Sequence, residues 1–185
     1  MSCIGQEEEA ALYYLYMMSD GEISYNEEKI FNEICKELEL SEAEKQSVIA
    51  NAKKLASDSK MAKKAIKNND IDPDGWFDTY RSMRGIPYMA RIIWNLVNLG
   101  YADSYYSEDE KEIVQYLLDK WEINKELYIE MIDTSDTMLA LIKQKEWILS
   151  TYDKGKDRDD KERKIDSEIN SLLSDIKISI DELSM

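Results

Sequence analysis

Two acidic turns hold the residues of this chain whose types and spacing could do chemistry. Asp20-Gly21-Glu22-Ile23-Ser24-Tyr25-Asn26-Glu27 is followed, 83 residues on, by Asp103-Ser104-Tyr105-Tyr106-Ser107-Glu108-Asp109-Glu110, with Asp, Ser and the later acid in register. If the two turns lie side by side, Asp20, Glu22, Asp103 and Glu110 or Glu27 converge, and crowded carboxylates repel unless a cation or a proton intervenes. With oxygen donors only, the ion expected is hard: Ca²⁺, Mg²⁺ or Mn²⁺. Asp20, Glu22, Glu27, Asp103 and Glu110 are therefore the candidate metal ligands. The same spacing has a plainer explanation. Ser24 with Glu27, and Ser107 with Glu110, fit capping boxes that satisfy amides at a helix start, while Asp20 and Asp103 stabilise turns.

The 185 residues contain no His, which removes imidazole-based nucleophile systems and His-ligated metal sites. Six scattered Gly offer neither a dinucleotide fingerprint nor a phosphate-binding loop, and no organic cofactor is expected. Acids outnumber bases 39 to 24, and the net charge of −15 opposes binding to nucleic acid. Cys3 and Cys35 form no C-x-x-C pair, which fits free thiols in a reducing, cytoplasmic setting. The first residues lack the basic and apolar segments of an export signal, and the apolar run Ile86 to Leu99 is too short to span a bilayer. Carboxylate-only catalysis around Mg²⁺ needs no His, so a hydrolase or transferase is the alternative to a non-enzymatic role.

Other motifs are partial. The first turn equals the second half of an EF-hand loop, but Tyr16 and Met18 stand where earlier acidic ligands belong. Asp70-Ile71-Asp72-Pro73-Asp74-Gly75 copies the first half, yet Arg81 replaces the bidentate Glu; the alternative is acids crowding a helix N-terminus. Lys53, Lys54, Lys60, Lys63, Lys64 and Lys67 reverse the local charge, as a solvated helix face or as a surface for an acidic partner or anionic lipid. Trp76, Trp94, Trp121 and Trp147, one per helix, read as core.

These residues must be positioned by helices, since six Gly and two Pro are too few for a fold with many turns. Apolar spacing predicts helices over about Glu7 to Met18 and Tyr25 to Glu39, and a Ser41/Glu44 capping box opens a third that continues to Lys67. Asp72-Pro73 predicts a cap and first helical position for a short helix ending near Arg84-Gly85; Pro87 then starts a helix to Tyr101, apolar nearly all round and expected at the centre of the core. Helices over Glu108 to Trp121, Lys125 to Ile132 and Thr134 to Tyr152 follow. The charged stretch Asp153 to Lys164 reads as a linker, and Lys161 to Leu183 as a final helix with an Ile/Leu seam able to dock on another helix.

The offset of 83 also aligns Ile30 with Ile113, Ile34 with Leu117, Leu38 with Trp121, Leu40 with Ile123 and Ser41 with Asn124. On these residues, over roughly 8 to 150, the chain resembles the TerB-like family of tellurite-resistance and stress-associated proteins, whose two related helical halves each bear an Asp-Gly turn followed by Ser and Glu. Ser104 departs from the Gly that the family favours. The resemblance implies a stress-response protein with clustered acidic residues, for which metal binding and service in membrane-linked stress or phage-defence assemblies have been proposed. The expected architecture is all-α: a helical bundle of two related repeats (about 8–57 and 88–150) in a domain over 1–152, then a linker and amphipathic helix over 153–185. The expected function is non-enzymatic binding of a divalent cation, a protein partner or both, with peripheral membrane contact at most; a metal-free structural interaction module, with the C-terminal helix as its contact surface, is a further alternative.

Overall fold

With few residues able to break a helix, nearly the whole chain is helical. The structure, a computed structural model, describes residues 5–183; Cys3 lies outside them. The described residues form eight helices and no strand: α1 (Gln6–Met17), α2 (Tyr25–Glu37), α3 (Glu42–Leu55), α4 (Ser59–Lys67), α5 (Trp76–Gly100), α6 (Glu108–Trp121), α7 (Lys125–Thr151) and α8 (Lys156–Glu182). They divide into two compact units, one ending at Ile123 and one beginning at Asn124. In the second unit, α8 packs along α7.

In the first unit, α1 is buried on all sides from Glu9 to Met17, except for half-covered Ala11, and touches α2, α3, α4 and α5. It shares the central place expected for the second half of α5, where Ile92, Ile93, Leu96 and Leu99 are fully buried. A tyrosine hydroxyl at this depth favours polar partners, and that of Tyr13 has two. Tyr13 donates to Glu9 Oε1 at 2.7 Å and accepts from Asn95 Nδ2 at 3.1 Å, and Tyr88 donates to Glu9 Oε2.

Several boundaries differ from the sequence expectation. The Lys-rich helix does not run on from α3: Ala56 is extended, and the Asp58 carboxylate accepts from Met61 N at 2.8 Å to start α4. Asp72 is not the residue next to the helix. Residues 72–75 form a turn with Gly75 at φ 74°, and the Asp72 carboxylate reaches forward to accept from Trp76 N at 2.6 Å and Phe77 N at 2.9 Å. The D-x-D-x-D-G motif is therefore a helix start, and its central acid is spent on amides. Gly85, at φ 77°, kinks α5 just before Pro87.

In the second unit, α7 is continuous where a break near Asp133 was expected; the stretch has neither Gly nor Pro. The charged stretch is helical from Lys156, leaving only 152–155 as the connection. Oppositely charged residues three or four apart account for this: Lys161 pairs with Asp157 at 2.8 Å and Arg163 with Asp160. Trp147 is 56% exposed, contrary to a core role, with its ring edge-on to Tyr152.

Asp72 is 1% exposed, and its truncation leaves the buried Phe77 amide and the part-buried Trp76 amide without their acceptor. Asp72→Ala is expected to lower unfolding stability by about 1–3 kcal/mol, and Asp72→Asn, which keeps one acceptor oxygen, by less. Denaturant unfolding of the two variants checks the order.

Candidate functional site

Each acidic turn precedes a capped helix. Ser24 N donates to Glu27 Oε2 at 2.7 Å while Glu27 N donates to Ser24 Oγ at 3.2 Å. In the second turn, Ser107 N donates to Glu110 Oε2 at 2.8 Å and Glu110 N to Ser107 Oγ at 3.2 Å. Both capping boxes exist, so the plainer explanation holds for one oxygen of each Glu.

Local backbone agrees at the same offset. Gly21 and Ser104 both have positive φ, 125° and 70°, as do Glu39 and Glu122, 56° and 55°. Leu40 N donates to Cys35 O, and Ile123 N to Leu118 O, each at 3.0 Å. These pairings close α2 and α6 in the same way. Tyr105 N donates to Asp103 Oδ1 at 3.0 Å, holding the left-handed Ser104 in an Asx turn. Ile113, Leu38 and Trp121 are buried and Ile30 is half-buried. The correspondence is one of local backbone: α3 has 14 residues, whereas α7 has 27 and belongs to the other unit.

Electrostatics connects the two turns. Desolvation raises the Asp20 carboxyl, and the charges on Asp103 and Asp109 raise it further. Burial raises Glu27 against the lowering effect of Ser24, with Asp20 and Asp103 adding repulsion. Burial also pushes Glu110 up to about 7, again against its Ser107 bonds, with Asp20 and Glu27 adding to the rise. The charge of Asp20 thus reaches Glu27 and Glu110, and that of Asp103 reaches Asp20 and Glu27, across the two turns. Glu22 is exposed and is not among the charges that raise the other three. Asp109, which was not among the expected ligands, does raise Asp20; it occupies the second position of α6, one residue before Glu110.

The feature least like ordinary capping is Glu27 Oε1, buried without a hydrogen-bond partner in a residue only 2% exposed. A carboxylate oxygen in that position is unstable as a charge. It needs a proton or a cation. Among the described residues, no three His, Cys, Asp or Glu side chains are grouped to hold a metal ion as they stand, so an ion would have to draw Asp20 and Asp103, both exposed at their turns, inward.

The basic stretch is partly consumed within the fold. Lys63 pairs with Asp109 at 2.7 Å and Lys67 with Glu112 at 2.6 Å, because α4 lies beside the acidic start of α6. A separate cleft of about 470 Å³ beside α2 is lined by Tyr14, Phe31 and Ile49 together with Glu28, Glu42, Lys45 and Lys53. Its charges balance. Burial pushes the Cys35 thiol up to about 11, which leaves it without thiolate character at neutral pH.

The raised carboxyls have a stability signature. Glu110 rises from 4.5 to about 7 on folding, so the folded state holds the extra proton between these values; the stability present below about 4.5 is lost as pH rises through about 7. Asp20 and Glu27 act in the same direction. The melting temperature is expected to fall across this window and level off above it, and Glu110→Gln to remove much of the slope. Thermal melts from pH 4.5 to 8.5 test this, and a melting temperature rising across the window contradicts it.

No protein-family model, no curated protein and no solved structure matches this chain. Among the described residues, no helix is long and apolar enough to cross a membrane. The chain's fold class, an all-helical bundle, follows from its own helices and their packing.

Proposed function

We propose that this chain is a non-enzymatic helical protein that binds a divalent cation between its two acidic turns, through Asp20, Asp103, Glu27 and Glu110. The observation that carries the reading is the unpartnered, buried Glu27 Oε1, which sits within the electrostatic reach of acids from both turns. A hard ion supplies the positive charge that this oxygen lacks, and both exposed aspartates can close on it. A binding role is favoured over proton transfer because Glu27 and Glu110 each commit one oxygen to a helix cap, which holds the carboxylate in place. The resemblance to TerB-like stress proteins leads to the same reading and rests on the same paired turns.

Titration calorimetry of the chelator-treated chain with Ca²⁺, Mg²⁺ and Mn²⁺ tests the proposal. The expected result is saturable heat with at least one ion and a higher melting temperature, equivalent to about 2.7 kcal/mol at an ion concentration 100 times Kd. Affinity should be weaker at pH 6 than at pH 8, since the ion must displace the Glu110 proton. Asp20→Asn with Asp103→Asn should abolish both heat and thermal shift. Absence of heat and of any shift with all three ions would leave the turns as helix caps alone.

A further inference from the structure

The second unit leaves its own apolar seam half open. α7 and α8 are antiparallel: Lys145 bonds Asp166 and Glu162 near the connection, and Ser179 donates to Glu130 at the far end. The seam closes at both ends, where Leu127, Met131, Ile176 and Ile180 are buried on one side and Ile148 and Ile165 on the other. Between them it does not. From 132 to 147 and from 166 to 175 no apolar side chain is buried; Leu139, Leu141, Ile169 and Leu172 are half-covered, and Ile142 and Leu173 are exposed. Of the ten large hydrophobic side chains exposed among the described residues, six lie on these two helices, so the exposure is concentrated here.

We propose that the midsection of the α7–α8 hairpin docks on the same midsection of a second copy of this chain, forming a four-helix bundle with the two hairpins antiparallel. Size suits a small, weak interface with this occupant. The open stretch of α7, residues 132–147, is about 24 Å long, and two helices side by side are about 20 Å wide, a face of roughly 500 Å² on each copy, at the low end for an association between proteins. Charge sets the direction. The open end, residues 125–142 and 167–183, carries eight carboxylates and two lysines, while the connected end, 143–166, carries seven carboxylates and eight Lys or Arg. Antiparallel docking sets the slightly basic end of each copy against the acidic end of the other; parallel docking would place the two acidic ends together. A two-fold axis through the midsection is the arrangement in which one open patch covers its own copy.

Sedimentation equilibrium of the full chain tests the proposal, with helicity followed by circular dichroism. The expected mass is twice that of the chain at 100 μM, and Ile142→Glu with Leu173→Glu, both at exposed positions, should halve it with helicity unchanged. Should that variant lose helicity, Lys143→Glu with Lys154→Glu provides the second reading. These are exposed lysines at the connected end, and their reversal should raise the dissociation constant at least tenfold at low salt. A wild-type chain that is monomeric at 100 μM overturns the proposal. So does a dimer that survives the Ile142/Leu173 variant with helicity intact, or, where that variant unfolds, a dimer whose dissociation constant the lysine variant leaves unchanged. The outcome is independent of cation binding at the acidic turns.

Discussion

The first unit depends on one buried carboxylate. Glu9 is 1% exposed within α1, and its two oxygens accept from Tyr13 and Tyr88, which join α1 to the second half of α5. A buried carboxyl group is tolerated only where hydrogen bonds replace its water, and leaving one of its oxygens unpaired typically costs about 1–3 kcal/mol. The network thus fixes the rotation of α1 about its axis, because only one rotation brings Glu9 to Tyr88 and Tyr13 to Asn95. Burial of Leu12, Leu15 and Tyr16 supplies the larger stabilisation, but it is less directional. Outside this network, Arg84 and Arg91 lie over the Tyr88 ring, giving positive charge near the buried carboxylate.

A net charge of −15 has to be accommodated somewhere, and the fold does it in three ways. Some acids pair: Asp109 and Glu112 meet Lys63 and Lys67, joining α6 to α4. Others cap helices, as Asp58 and Asp72 do. A third group stands at the two turns, where burial and mutual repulsion raise Asp20, Glu27 and Glu110 together. In the third group folding makes the ionised carboxylates less stable than in water, and a ligand carrying positive charge can recover that loss.

Much of the fold was legible because the signals were local. The capping boxes at Ser24, Ser41 and Ser107 marked three helix starts, and the bounds of α6 were legible from its cap and apolar spacing. The Lys-rich stretch and residues 153–164 misled for a shared reason. Local composition does not reveal whether a charged residue will find a partner one turn away or on a neighbouring helix. Glu9 was missed because three successive glutamates at a helix start resemble ordinary first-turn acids; its spacing of four from Tyr13 was the available signal. Trp147 was misplaced because one face of α7 meets α8 and another is left to solvent, a choice that apolar content does not make.

Sequence alone therefore determined what depends on neighbours within about one helical turn: helical class, most caps, the two acidic turns with Asp20, Glu27, Asp103 and Glu110, and the absence of imidazole chemistry. Tertiary structure decided which charges are buried, which are paired and which are left to repel. It raised Glu110 to about 7, left Glu27 Oε1 without a partner, set Glu22 apart and assigned α7 to α8. The physical reason is range. A hydrogen bond within a turn is specified by residues three or four apart, whereas desolvation and repulsion between carboxylates depend on separations that exist only after helices 83 residues apart have packed.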